Sequence, residues 1–74
     1  MESLPTDIRP LELIKALERN GFVTKKAKGS HRRLAHPDGR WTQVAVHPKP
    51  IPIGTLRKIL AQSGLSLAKL QNSL

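Results

Sequence analysis

The chain of 74 residues contains no cysteine and no tyrosine, and it has one phenylalanine and one tryptophan. The lack of cysteine excludes a disulfide framework and a zinc site built from thiolates, and it suits a protein of the reducing cytoplasm. No apolar run approaches the ~20 residues that a transmembrane helix needs. Residues 1–10 also lack the apolar segment of a signal peptide, so we expect a cytoplasmic protein with no membrane partner.

Acidic residues are scarce as well, because five Asp and Glu stand against thirteen Lys and Arg, for a formal net charge of +8. Such few and scattered carboxylates argue against a nuclease that holds two metal ions. The positive charge favours a polyanionic partner, first of all RNA or DNA, although an acidic protein would satisfy it too. Six clustered cations are the candidates for nucleic-acid binding: Lys25, Lys26, Lys28, Arg32, Arg33 and Arg40.

The length predicts one domain, residues 1–74, with residues 1–9 as a loosely held leader. Apolar spacing after Pro10 predicts a helix that ends at Gly21. Three strands follow, at 22–28, 31–36 and 41–47. Two more helices are expected, one ended by Gly64 and a short one capped by Ser66. The predicted fold class is α+β, in the order α-β-β-β-α-α, with helices on one face of a three-stranded antiparallel sheet.

The segment HPDGR is the clearest local signal, because Pro, Asp and Gly in this order suit a three-residue hairpin loop with a glycine bulge. That loop pairs His36 with Arg40 and, further back, His31 with Ala45. Alternation along the strands then divides the side chains between two faces of the sheet. Leu34, Val44 and Val46 should lie under the helices. The opposite face, here called the open face, carries His31, Arg33, Ala35, Trp41, Gln43, Ala45 and His47.

The histidines do not predict a metal site. His31 and His36 are five residues apart on one strand, which places them on opposite faces and roughly 16 Å apart. His31 and His47 share a face, but two nitrogens without a third ligand make a poor zinc site. We therefore expect no metal and no other cofactor. Arg33 suits a phosphate and Trp41 suits base stacking on the open face, although a solvated arginine and a tryptophan packed on a loop remain alternatives.

Three segments resemble the HicA family of toxins: ELIKALERNGFV, KGSHRRLAHPDGR and VAVHPKPIPIGTLRKILAQSGLS. The similarity runs from about Leu11 to Leu67. It implies a fold like the double-stranded-RNA-binding domain and a ribonuclease that cleaves messenger RNA and blocks translation. It also implies a HicB-like antitoxin as the partner that neutralises the toxin. The catalytic histidine of the family lies in a Gly-Ser-His element, which corresponds to His31 here. Where family members often carry an aromatic residue, this chain has Leu34 and Ala35, which directs attention to Trp41.

Histidine suits such a reaction because it can accept or donate a proton near neutral pH. His31 would be the general acid or base in an attack of the 2′-hydroxyl on the neighbouring phosphorus, without a metal ion. Arg33 would stabilise the charge on the phosphate. Gly29 would let the backbone approach it, and Ser30 and His47 are supporting candidates. Two alternatives remain open at this stage: a non-catalytic RNA-binding module on the same fold, and a DNA-binding or purely protein-binding domain.

Overall fold

The computed structural model describes residues 4–25 and 28–74. Its elements follow the predicted order, with three helices and three antiparallel strands in one open sheet of order β1-β2-β3. The elements are α1 (Pro10–Arg19), β1 (Val23–Thr24), β2 (His31–Ala35), β3 (Trp41–Ala45), α2 (Ile53–Ser63) and α3 (Leu67–Ser73). The α+β class is thereby confirmed. Over the residues that the structure describes, no helix is long and apolar enough to cross a membrane.

Local signals set the ends of the helices as expected. Pro10 is the first residue of α1, and the Glu12 side chain accepts a hydrogen bond from the Arg9 backbone N–H at 3.0 Å. Gly21 follows α1 with a φ of +93°, a conformation that glycine adopts without steric cost. The Ser66 side chain caps α3 by accepting the Lys69 backbone N–H at 3.1 Å. These local contacts define the ends of the helices and do not depend on how the helices pack.

The hairpin between β2 and β3 has the predicted register. The His36 N–H donates to the Arg40 carbonyl at 2.8 Å, and the Gly39 N–H donates to the His36 carbonyl at 2.9 Å. Gly39 has a φ of +100°, as the bulge requires. His31 pairs with Ala45, and Leu34 pairs with Thr42. The division of side chains between the two faces therefore follows the prediction.

The core lies between the sheet and the helices. Leu34 and Val44 of the sheet are fully buried, and they meet buried leucines from all three helices, namely Leu13, Leu17, Leu56 and Leu70. Truncating one such leucine to alanine typically costs about 2–5 kcal/mol. The core thus fixes one face of the sheet under the helices and leaves the open face without helical cover.

Two expectations need correction. The prediction of a loosely held leader over residues 1–9 is wrong at Ile8. This residue is 3% exposed, and its carbonyl accepts the Ile51 N–H at 2.8 Å. The apolar side chain gains more from burial than the chain loses by being ordered there. The first strand, predicted over 22–28, is also shorter among the described residues: β1 covers Val23–Thr24, and Lys28 forms an isolated bridge with His31. Residues 26 and 27 of the predicted strand lie outside the described residues.

Candidate functional site

The backbone around His31 forms a tight turn that fixes where its side chain starts. The Lys28 N–H donates to the His31 carbonyl at 3.0 Å, and the His31 N–H donates to the Lys28 carbonyl at 3.1 Å. Gly29 has a φ of +60° within this turn, a conformation that favours glycine. The Ser30 carbonyl accepts the Val46 N–H at 2.7 Å, which extends the pairing with β3. His31 therefore leaves a braced backbone, and its side chain is exposed on the open face.

His31 lies between two depressions of the surface. The first, here called the turn-side depression, has a volume of about 390 Å³ and is lined by Lys28, Gly29, His31 and Gln43. The second, here called the helix-side groove, has a volume of about 310 Å³. It runs between the open face and α2, and its lining residues are His31, Trp41, Gln43, Ala45, Thr55, Lys58, Ile59 and Gln62. His31 and Gln43 are the two residues common to both.

Helix α2 forms one wall of the helix-side groove because it packs along β3. Ile59 is buried at its base. The fully buried Thr42 of β3 donates its hydroxyl to Oε1 of Gln62 at 2.8 Å, which ties the helix to the strand. Thr55, Lys58 and Gln62 are spaced by three and four residues, so they share one side of the helix. A cation of α2 is thereby brought to the groove that His31 borders.

Arg33 and Trp41 form a stacked pair on the open face. The Arg33 guanidinium carbon lies 4.4 Å from the centre of a Trp41 ring. The indole is nevertheless 47% exposed. At an exposed site such a cation–π contact contributes about 0.5–1 kcal/mol, so it orders the two side chains and still leaves aromatic surface available. Trp41 packs against an arginine of the neighbouring strand, and the pair presents a cation beside an aromatic surface.

Two other predicted cations are held by contacts within the protein. Arg32 lies on the helix-facing side of β2, is half-buried, and donates from Nη1 to the Gly29 carbonyl at 3.1 Å. Arg40 donates from Nε to the Asp38 carboxylate at 2.8 Å and from Nη1 to the Ser63 carbonyl at 2.5 Å. Both arginines therefore support the turns that frame the sheet.

The remaining candidates lie at the margins of the site. Lys25 is exposed, and its backbone N–H donates to the Arg33 carbonyl at 2.6 Å. Lys26 lies outside the described residues. Ser30 is exposed beside His31. His47 is exposed beside the proline-rich connector and lines neither depression that contains His31. The structure thus groups His31 with Lys28, Arg33 and Trp41.

The electrostatics of the site follow from which cations lack an acidic neighbour. Within residues 4–25 and 28–74, a salt bridge joins Asp38 to Arg40, the Asp38 carboxylate also lies 3.0 Å from Nδ1 of His36, and no salt bridge involves Lys28, Arg33 or Lys58. No group of three or more His, Cys, Asp or Glu side chains that could hold a metal ion occurs in the described parts of the chain. His31 consequently shares its two depressions with lysines that form no salt bridge within the described residues, which suits an anionic ligand.

Lys58 and Gln62 are the site residues that sequence reasoning missed. Their spacing on one side of α2 is visible in the sequence, and with Thr55 it outlines a polar stripe beside the buried Ile59. That stripe alone does not say which strand it faces. The docking of α2 along β3 supplies the information, and it is a tertiary feature.

A sequence model of the HicA family, described as a HicA toxin of bacterial toxin–antitoxin systems, matches residues 11–65. Since the match covers most of the 74 residues, the chain belongs to the HicA family of toxins. It is therefore a toxin that is paired with an antitoxin. No curated protein matches the chain.

Proposed function

We propose that this HicA-family toxin is a metal-independent endoribonuclease that cleaves messenger RNA in the cytoplasm and so blocks translation. The observation that carries the proposal is the position of His31. It is exposed on the open face, follows the hydrogen-bonded turn at Lys28, and borders two depressions that are each lined by a lysine without a salt bridge among the described residues. A proton-transfer group amid positive charge is what cleavage by the 2′-hydroxyl of RNA needs.

The proposed reaction uses these groups in the following roles. His31 takes the proton of the 2′-hydroxyl, or gives one to the leaving 5′-oxygen, while the new bond forms between the 2′-oxygen and phosphorus. The negative charge on the phosphate oxygens grows in that step and is stabilised by neighbouring cations, of which Arg33 lies on the same face. An RNA base stacks on the exposed indole of Trp41, which contributes about 1–3 kcal/mol. Gly29, Ser30 and His47 keep supporting roles, with His47 as candidate for the second proton transfer.

The direct test is cleavage of one RNA by the wild type and by His31→Ala, each with and without a chelator. A substrate with 2′-deoxy sugars is run in parallel, because it lacks the attacking hydroxyl. We expect the wild type to cut the RNA equally well with chelator and to spare the 2′-deoxy strand. A folded His31→Ala protein that cuts at the wild-type rate would exclude the catalytic role. Cleavage of the 2′-deoxy strand would exclude attack by the 2′-hydroxyl.

A non-catalytic RNA-binding module is the second candidate, and one observation favours it. Within the described residues, the His31 ring has no hydrogen-bond partner, whereas a catalytic base is usually oriented by a third group. Such a module would retain the Arg33–Trp41 platform and shift the mobility of RNA in a gel without shortening it. The cleavage experiment separates the two candidates, since only the ribonuclease yields fragments.

The antitoxin is proposed to be HicB-like and to cover the open face around His31 with acidic groups. Arg33 is the contact that we expect to matter more, because Arg40 is already bonded to Asp38 and to the Ser63 carbonyl. Arg33→Glu should weaken the complex at least tenfold through like-charge repulsion. Arg57→Glu, on α2 and outside the groove, is the matched control. Titration calorimetry checks both, and equal affinities for the two variants would contradict occlusion at Arg33.

A further inference from the structure

The helix-side groove extends from His31 and Trp41, which act in the proposed reaction, to the side chains of α2. It lies between the β-hairpin and α2. Its volume of about 310 Å³ is at the lower end of the range, about 300–1,000 Å³, that is usual for small-molecule sites. The floor is apolar, with Ala45 and the buried Ile59, and the rim is polar. A compact ligand with a flat apolar part and an anionic part fits such a groove.

Lys58 of α2 is the cation on the rim of the helix-side groove. It is exposed, and none of the salt bridges among the described residues involves it. The arginines of the hairpin already have contacts within the protein: Arg32 with the Gly29 carbonyl, Arg40 with Asp38, and Arg33 with the Trp41 ring. Lys28 lies on the turn side of His31. On the helix side of His31, Lys58 is therefore the cation of the described chain that is best placed to meet a phosphate.

The polar partners on the rim strengthen this assignment. In the described structure Oε1 of Gln62 receives the Thr42 hydroxyl at 2.8 Å, which holds the side chain in place. The amide nitrogen of Gln62 then remains as a donor at the groove. Gln43 borders the groove from the opposite side, and the Trp41 ring supplies aromatic surface at its end. Donors, a cation and a ring thus surround one space, as a nucleotide requires.

We propose that the helix-side groove seats one unpaired nucleotide of the RNA, with its base against Trp41, and that Lys58 is a substrate-contacting residue that binds the phosphate of this nucleotide. The inference rests on the proposed function and adds to it the path of the strand. The RNA crosses His31 from the turn-side depression, which Lys28 borders, into the groove along α2. A duplex does not enter, because its bases are not free to leave the stack.

The variants for the test are Lys58→Ala, Lys58→Arg and Lys69→Ala. Lys69 is exposed on α3 and lines neither depression, so Lys69→Ala removes the same charge from another helix. Trp41 is the only tryptophan of the chain, and its fluorescence reports directly on the groove. The binding probe is a fully 2′-O-methylated single strand, which cannot be cut by 2′-hydroxyl attack. Its duplex is the second probe.

We expect the single strand to quench Trp41, and the duplex to leave its fluorescence unchanged. Lys58→Ala should weaken binding of the single strand about five- to tenfold and reduce the log–log salt slope by about 0.7, the share of one phosphate contact. Its kcat/KM for RNA should fall on the order of 10–100-fold, less than for a buried oxyanion donor because the groove is open to solvent. Lys58→Arg should keep most of the binding affinity and most of the kcat/KM. Lys69→Ala should stay within twofold of the wild type in both quantities.

Equal effects of Lys58→Ala and Lys69→Ala would overturn the inference, as would quenching by the duplex. Loss of antitoxin affinity with unchanged RNA binding would overturn it too, by assigning the groove to the protein partner. The proposed function fails separately. If the wild type leaves RNA intact, the ribonuclease is excluded, while the fluorescence titrations of the wild type, Lys58→Ala and Lys69→Ala still decide whether the groove holds a nucleotide.

Discussion

The protein places a histidine, an arginine and an aromatic ring together twice, with opposite results. On the open face, Arg33 lies over Trp41 at 4.4 Å beside His31, and the aromatic ring is half-exposed. At the hairpin loop, Arg40 lies over Phe22 at 5.3 Å beside His36, and Phe22 is 3% exposed. We call the second group, completed by Asp38, the hairpin cluster.

The two groups differ in whether their polar atoms have partners. In the hairpin cluster, the Asp38 backbone N–H donates to Nδ1 of His36 at 3.1 Å, and an Asp38 carboxylate oxygen lies 3.0 Å from the same nitrogen. The His36 ring also meets Phe22 edge-on, with 5.2 Å between centroids. On the open face, no described residue bonds to the His31 ring. The same residue types thus stabilise the fold where they are satisfied and are available for a ligand where they are not.

The largest effect that separates the two groups is expected from the histidines. His31→Ala should lower RNA cleavage by about 10²–10⁴ because a positioned acid–base group is lost, and it should change the free energy of unfolding by less than about 0.5 kcal/mol. His36→Ala should do the reverse. It should cost about 1–3 kcal/mol through lost packing on Phe22, with cleavage retained at low temperature. Thermal unfolding measures the stability of the two variants, and an RNA cleavage assay measures their activity. Equal stability and equal activity of the two variants would contradict the distinction between the two groups.

The second effect concerns salt, because the open face is charged and unpaired. If it tracks a single strand through about six phosphates, log Kd should change with log salt with a slope near 4 in magnitude. Raising salt from about 50 to about 200 mM should then weaken RNA binding by roughly two to three decades. The free energy of unfolding, which depends on the bonded hairpin cluster, should change far less. Fluorescence anisotropy at several salt concentrations checks the slope, and a flat response would contradict the electrostatic interpretation.

The third effect compares two glycines, Gly21 beside the hairpin cluster and Gly29 beside His31 on the open face. Gly21 has a φ of +93°, and a Cβ there would lie 2.8 Å from Nε2 of His36. Since Phe22 and Asp38 hold that ring, Gly21→Ala combines backbone strain with a clash and should cost about 2–4 kcal/mol. Gly29 has a φ of +60°, but no atom lies within 4 Å of a Cβ added there. Gly29→Ala should therefore lower the free energy of unfolding by only about 1 kcal/mol. Chemical denaturation measures the difference, and the opposite ranking would contradict the packing described for His36.

The smallest effect is the response of the hairpin cluster to acid. Hydrogen bonding of the Asp38 carboxylate to the Arg40 backbone N–H, and to its guanidinium, lowers the pKa of Asp38 below its ordinary value of 3.8. A lowered pKa in the folded state means that this carboxylate stabilises the protein above about pH 4 and that the contribution is lost as the pH falls through the folded-state pKa. Asp38→Asn should reduce the loss of stability in this range. Melting temperatures between pH 2 and pH 6 check it, and parallel curves for both proteins would count against the assignment.

The hairpin shows how much local sequence can predict. Pro37, Asp38 and Gly39 select one loop type, the loop fixes the register, and the register places His31 on the open face. Each step is local, so each could be predicted without the rest of the fold. The division of side chains between the two faces of the sheet follows from this register. The order of helices and strands could likewise be predicted from local signals along the chain.

The parts that could not be predicted depend on contacts between distant segments. The position of Lys58 beside His31 requires the docking of α2 on β3, and the burial of Ile8 requires the connector at Ile51. The engagement of Arg40 by the Ser63 carbonyl joins residues far apart in the chain. A pattern of charges along the sequence cannot distinguish an arginine held in this way from one that is open to a ligand.

The docking of α2 along β3 also has a consequence for the order of folding. His31 and Trp41 are brought together by a hairpin whose loop has three residues, whereas Lys58 reaches them only after the connector and α2 have closed on the sheet. Short-range pairing is faster than closure over longer stretches of chain. We therefore expect the hairpin side of the groove, with His31 and Trp41, to form before the α2 side, with Lys58. A refolding molecule should then recover its hairpin before it recovers a complete groove. Pulsed hydrogen exchange, with protection of Val44 ahead of Ile59, is the measurement that would show this sequence of events.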